Sequence, residues 1–160
     1  MNNNEVISNN NDIMDIDLSV TRKKRFRIDG DNNRILELNT SDMMIVKRLN
    51  VIYPKLQKLA VKASNELELD SESEDFIAKA GEAITSIDTD MRKLVDELFD
   101  AEVSKVAAPD GSMYDLFNGK FRFEHIIDTI SGLYENNFNA EYKKISERIT
   151  KHTGKYTKKR

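Results

Sequence analysis

The chain has 160 residues, no cysteine, two histidines, 39% hydrophobic and 33% charged residues, and a formal net charge of −3 at pH 7. That length suits one domain with arms that folds without a metal or disulfide staple, and the lack of cysteine excludes disulfides and thiolate metal sites. No apolar run approaches the ~18 residues of a membrane span, and Met1 to Ile7 lacks the basic and apolar regions of a signal peptide, so the expectation is a protein kept in a cytoplasm.

Residues 1–15 read as a flexible arm. Six of the first eleven residues are asparagine, and no apolar period runs through them. Ile16 to Val20 alternates apolar and polar positions, as a half-buried strand does. Arg22, Lys23, Lys24 and Arg25 interrupt that pattern. Phe26 to Ile28 and Ile35 to Leu38 then flank Asp29-Gly-Asp-Asn-Asn33, which reads as a β-hairpin around a turn. A lone hairpin is marginal in water, so this β element (16–39) must lie on the helices, on the strand at 16–20, or on another subunit.

Thr40-Ser41-Asp42 supplies an N-cap and an early negative charge for a first long helix. Its apolar seam is Ile45, Leu49, Ile52, Leu56, Leu59, Ala63 and Leu67, with steps of three and four. Pro54 falls inside the seam, compatible with a kinked helix or with a break that restarts at Pro54. An acidic link, Leu69 to Asp75, leads to a second seam at Ile77, Ala80, Ile84, Ile87, Met91, Leu94 and Leu98. Ser71 to Asp75 is expected to cap it. Two seams of matching length joined by a short link predict an antiparallel αα-hairpin over 42–69 and 72–105. Val46, Tyr53, Val61, Leu69, Phe76 and Phe99 lie partly off the seams, for a third helix or another chain to cover.

Ala107 to Ser112 and Asn118-Gly119 carry turn chemistry. The stretch between them is dense in apolar residues, so it reads as a folded loop lying on the hairpin. A last helix begins near Phe121 or Phe123. Its apolar positions are Phe123, Ile127, Ile130, Tyr134, Phe138, Tyr142, Ile145 and Ile149. Gly132 and Asn136-Asn137 weaken it midway, leaving one helix or two segments, and Gly154 is expected to end it. Residues 16–150 then form a single helical domain, and 151–160 a basic tail. The fold class predicted is mainly α (α+β), a long antiparallel helical hairpin plus a C-terminal helix.

Chemistry finds few places to start. Asp29, Asp31 and Asn33 have the opening spacing of a calcium loop, but Arg34 and Thr40 stand where the loop needs Gly and Glu, so a polar turn is the reading. His125 and His152 lack the spacing of a zinc pair. No nucleophile elbow and no phosphate-binding glycine loop occurs. The expectation is therefore a non-enzymatic chain with no metal and no cofactor. Charge is unevenly spread: residues 143–160 hold eight basic and one acidic side chain, whereas 28–142 sum to −11. Arg22, Lys23, Lys24 and Arg25 at one end and Lys158, Lys159 and Arg160 at the other are candidate contacts for an anion or an acidic partner. The acidic middle opposes approach to DNA.

Three stretches, Lys24-Arg-Phe-Arg-Ile-Asp-Gly-Asp31, Val95-Asp-Glu-Leu-Phe99 and Ala108-Pro-Asp-Gly-Ser-Met-Tyr-Asp-Leu-Phe-Asn-Gly119, resemble small proteins of long-tailed bacteriophages and prophages. The order of elements is similar to that of the tail assembly chaperone group. The resemblance implies a small helical protein that coats the tape-measure protein and recruits tail-tube subunits, working in the host cytoplasm without a cofactor. Homo-oligomers are a further expectation, and a structural virion subunit or a nucleic-acid-associated phage protein are the alternatives. The candidate interaction residues are Phe26, Ile28, Tyr53, Phe99, Tyr114, Phe117 and Phe121.

Overall fold

Two long helices carry the frame. A computed structural model describes residues 16–18, 23–68 and 75–157. In chain order it holds β1 (Lys24–Arg27), β2 (Ile35–Leu38), α1 (Met44–Glu68), α2 (Phe76–Phe99), α3 (Val103–Ala107), β3 (Leu116–Phe117), β4 (Lys120–Phe121) and α4 (Arg122–Thr157). The fold is mainly α with a minor antiparallel β element, as the seams predict. The arm at 1–15, most of the link at 69–75, and Lys158, Lys159 and Arg160 lie outside the described residues.

α1 and α2 pack antiparallel. Arg48, near the start of α1, donates from Nε to the Leu98 carbonyl at the end of α2 at 2.7 Å. α1 buries Ile45, Ile52, Leu56, Ala60 and Ala63, and α2 buries Ala80, Ile87, Met91, Val95, Leu98 and Phe99. Leu94, a predicted seam residue, is only half-buried, while Val95 is fully buried. A straight helix of 3.6 residues per turn drifts against a strict three-four repeat, and the buried face moves with it. Ile77 departs further, at 83% exposed. The pairing that sets Leu98 beside Arg48 sets Ile77 level with the end of α1, where little remains to cover it.

Asp42 caps α1, accepting the Met44 N–H at 2.9 Å on Oδ1. Asp75 stands at the N-cap of α2 but makes no side-chain cap bond there. α1 runs unbroken through Pro54. Pro54 and Asn50 both face solvent, so the carbonyl that loses its donor reaches water. α2 stops at Phe99, short of the predicted 105. Asp100 adopts a left-handed conformation (φ 49°, ψ 47°) and its N–H bonds back to the helix's last turn. The chain turns there into α3 instead of continuing. The Asp96 carboxylate accepts the Ser104 N–H at 2.7 Å and the Ser104 hydroxyl at 2.8 Å, fixing the new direction.

β1 and β2 pair antiparallel, Lys24 opposite Leu38 and Arg27 opposite Ile35. Leu36 and Leu38 point into the core, and Glu37 points out. β1 begins two residues before the expected start at Phe26, so Lys24 and Arg25 belong to the ladder instead of interrupting the β pattern. Of the expected strand at 16–20, residues 16–18 form none, with Ile16 and Leu18 each 76% exposed, and 19 and 20 lie outside the described residues. The turn Asp29–Asn33 is closed by Ile28 N–H to the Arg34 carbonyl, and the Asp29 carboxylate pairs with Arg34 at 2.9 Å. Arg34 also donates to the carbonyls of Val106 and Ala107, which ties the hairpin to α3.

The apolar loop folds into a second, tiny hairpin, β3–β4, around Asn118-Gly119, both at positive φ as a type I′ turn requires. α4 is one helix of 36 residues. It passes through Gly132, Asn136, Asn137 and Gly154, so the expected stop at Gly154 is corrected. Asn137 has a structural role in mid-helix: its Nδ2 donates to the Thr40 carbonyl at 3.2 Å, and its Oδ1 accepts from Lys24 Nζ at 3.0 Å. The N-terminal hairpin is thereby anchored to α4. The core gathers Leu36 and Leu38 from the hairpin, Ile52 and Leu56 from α1, Met91, Val95 and Leu98 from α2, and Phe123, Ile127 and Ile130 from α4.

Candidate interaction site

The predicted interaction residues do not form one surface. Phe99 is 2% exposed, and its ring packs on Tyr134 with centroids 6.1 Å apart. It is a core residue covered by α4 and is withdrawn as a binding residue. Phe26, Ile28, Tyr53, Tyr114 and Phe121 are half-buried and packed against the core. The Tyr114 hydroxyl reaches the Leu59 carbonyl at 3.4 Å, and burial, with Asp88 and Asp90 nearby, raises its pKa above the ordinary phenol value. Phe121 meets Tyr114 edge-on and stacks on Phe123. Aromatic residues between two turns read as a binding loop in sequence, but in the fold they plug the gap between α1 and α4. Phe117 alone of the seven is exposed, at 50%, beside Leu116 at 68%. His125 Nε2 lies 2.7 Å from the Phe117 carbonyl and steadies that tip.

The basic cluster at the start of the chain is also divided. Arg22 lies outside the described residues. Lys23 is exposed, Lys24 is bonded to Asn137, and Arg25 pairs with Glu37 across the ladder at 3.4 Å. Below this ladder a cleft of ≈ 680 Å³ is lined by both signs, with Lys23 and Arg25 facing Asp96, Asp100 and Glu102. Among the described residues no three His, Asp or Glu side chains cluster closely enough to hold a metal ion. No helix there is long and apolar enough to cross a membrane.

Two surfaces stand out instead. The first is the distal half of α4. The seam of this helix is buried as far as Tyr134 and half-buried at Phe138. Burial raises the Tyr134 pKa to about 12, and Asp42 and Asp100 add to the rise while Arg48 opposes it. Beyond that point every residue from Asn139 to Lys151 is exposed. The apolar steps nevertheless continue on the same helix face: Tyr142 is 60% exposed, Ile145 42% and Ile149 57%. At its base this stripe opens into a groove lined by Met43, Phe138, Tyr142 and Ile145. A contiguous exposed apolar stripe of this kind is a candidate docking surface. The spacing was visible in sequence, but spacing alone does not tell a residue over the body from one past its edge.

The second surface is the outer face of α1. Lys47, Lys55, Lys58 and Lys62 are exposed there, with Val51 and Val61 between them. At 100° per residue the four lysines share an arc of about 80° on the solvent side of the helix and span roughly 22 Å of it. α1 carries no acidic residue before Glu66. The summed charge of the middle of the chain conceals this stripe, which a helical-wheel count of Lys residues would have exposed.

Compared with known protein families, with characterised proteins and with solved structures, the chain finds no match.

Proposed function

We propose that the chain is a non-enzymatic assembly factor of the phage tail assembly chaperone kind, which holds another tail protein against the distal stripe of α4. The observation that supports this is the continuation of the α4 seam through Tyr142, Ile145 and Ile149 past the edge of the body. A partner helix would lay its own apolar face along that stripe, as helix-in-groove recognition does. Such a function needs no cofactor and no catalytic group. Its partners would be the tape-measure protein or a tube subunit, met in the host cytoplasm.

Quantitative mass spectrometry of purified particles and of the lysate of the source cells tests this reading. Abundance in the lysate with absence from particles is the expected result. A fixed, high copy number in particles overturns it in favour of a structural virion subunit.

A second reading has its own observation, the lysine stripe of α1. Four cations on one face of a helix suit a phosphate backbone, so a nucleic-acid-associated role finds support there in addition to the basic ends.

A further inference from the structure

The distal half of α4 carries its own charge code. Phe138, Tyr142, Ile145 and Ile149 are spaced four, three and four residues apart, the a/d alternation of a coiled coil. Glu141 and Arg148 stand in corresponding flanking positions, each one residue before an a position. We infer that this segment pairs antiparallel with the same segment of a second copy of the chain. The inference rests on reading the stripe as a docking surface: in the free chain a second copy occupies it, and a tail protein's helix would displace that copy.

Register supports the choice of occupant. Set antiparallel with Tyr142 opposite Ile145 of the second copy, the two-fold axis also places Phe138 opposite Ile149. Every stripe residue then meets a stripe residue. In the same register Glu141 falls beside Arg148 of the second copy, and the symmetry makes that pair twice. A parallel arrangement sets Glu141 beside Ser146 and makes no such pair. It also brings the two bodies to the same end, because α4 is embedded in its body up to Phe138. The antiparallel arrangement puts them at opposite ends and seats Ile149 of the second copy at the groove beside Phe138 and Met43; the body covers the seam inward of Phe138, so the pairing ends there and the helix past Ile149 of the second copy turns aside. Moving the register by one heptad sets Arg148 against its own copy, which like-charge repulsion opposes. Glu141 is occupied within its own helix by Lys144 at 2.9 Å, but that pair is exposed and exchanges easily.

The overlap is short, so the interface lies at the small end of specific interfaces, roughly 1,000 Å², the size class of weak and transient association. Sedimentation equilibrium of the full chain from about 5 to 200 μM covers weak association of that kind. The wild type is expected to dimerise. E141R sets two arginines together and R148E sets two glutamates together, so each weakens association by about tenfold or more. The double variant E141R/R148E restores the complementary pairs and returns the dissociation constant to within about threefold of wild type. Both side chains project from an exposed stretch of helix, and circular dichroism checks that the variants remain folded. A chain that is monomeric at the highest concentration overturns the inference, and so does a dimer that the double variant fails to restore. The particle and lysate measurement does not depend on oligomeric state, so either proposal can fail alone.

Discussion

Asp88 and Arg92, one turn apart on α2, form an ion pair of 2.7 Å and both bond the Pro-Asp-Gly loop. Asp88 Oδ1 accepts the Met113 N–H at 2.7 Å. Arg92 donates to the carbonyls of Ser104, Ala108 and Gly111. Much of the loop's backbone is thus satisfied by two side chains of a neighbouring helix, and Asp115 and Arg122 serve the rest, the Asp115 carboxylate accepting the Ser112 N–H and Arg122 donating to the Asp110 carbonyl. Gly111 itself is at φ +76°, and a Cβ there would run into the Asp115 carboxylate.

Arg92→Ala is therefore expected to destabilise the fold by roughly 2–3 kcal/mol, because it strips several charge-assisted bonds and leaves Asp88 half-buried without its cation. Asp88→Asn keeps an acceptor for the Met113 N–H and is expected to cost less, about 1 kcal/mol. Urea denaturation of the two variants measures both. Equal losses would mean that the ion pair, and not the loop bonds, carries the effect.

Phe99 and Phe117 separate packing from binding. Phe99→Ala empties a fully enclosed site against Tyr134, with an expected loss of about 3–5 kcal/mol. Phe117→Ala removes a half-exposed ring at the β3–β4 tip and is expected to cost less than ~1 kcal/mol. Thermal melts of both variants decide the matter. A large loss at Phe117 would show the tip to be part of the core.

Mid-helix α4 offers a pair of opposite sign. Asn137→Ala deletes the bonds to Thr40 and Lys24 and should cost about 1 kcal/mol. Gly132→Ala gains helix propensity, and an added Cβ meets nothing within 4 Å, so it is expected to stabilise by about 0.5–1 kcal/mol. Chemical denaturation reads both. A neutral Asn137→Ala would mean that the N-terminal hairpin is held to α4 by packing alone.

Much of the frame was legible in these residues before the fold was known. The seams from Ile45 to Ala63 and from Ala80 to Leu98 are written in three-four spacing, and the hairpin in Asp29-Gly30 between apolar runs. What escaped depended on distant partners. Asn137 looks like a helix breaker until Thr40 is seen to need a donor. Asp100 gives no local sign that α2 stops there. Phe99 and Tyr114 read as binding aromatics because sequence does not say which aromatic ring another helix covers. The outward faces of α1 and distal α4 were hidden for a related reason: exposure is set by where neighbouring elements end, and charge summed over a segment loses the face it sits on.

Acid should weaken the start of α1. Burial alone would raise the Asp42 pKa, but hydrogen bonds from Arg48 and from the Met44 N–H outweigh it and hold the pKa below the ordinary 3.8. A carboxyl whose folded pKa is depressed adds stability above its unfolded value and loses it as pH falls through the folded value. Asp42→Asn keeps an acceptor for Met44 but not the charge facing Arg48, so it should be less stable than wild type by about 0.5–1 kcal/mol near neutrality. That difference is expected to shrink as pH falls through the depressed folded value, where wild-type Asp42 becomes protonated as well. Urea denaturation at pH 7, 4 and 2.5 follows it, and a difference constant with pH would remove Asp42 from the acid response.

The lysine stripe of α1 makes the sharpest quantitative claim on the second functional reading. If Lys47, Lys55, Lys58 and Lys62 each neutralise one phosphate of a duplex, the logarithm of the binding constant should fall with the logarithm of salt at a slope of roughly −3.6. Between 50 and 200 mM salt that is a loss of about 150-fold. Each Lys→Ala change should make the slope shallower by about 0.9 and weaken binding evenly across sequences, because phosphate contacts carry no sequence information. Fluorescence anisotropy with a labelled duplex, run at four salt concentrations on wild type and on Lys58→Ala, reads slope and affinity together. Lys58 is exposed on the face away from the core, so its removal leaves the fold in place to be measured. No binding at 50 mM salt, or a slope that Lys58→Ala leaves unchanged, would assign the stripe to an acidic protein surface or to solvent.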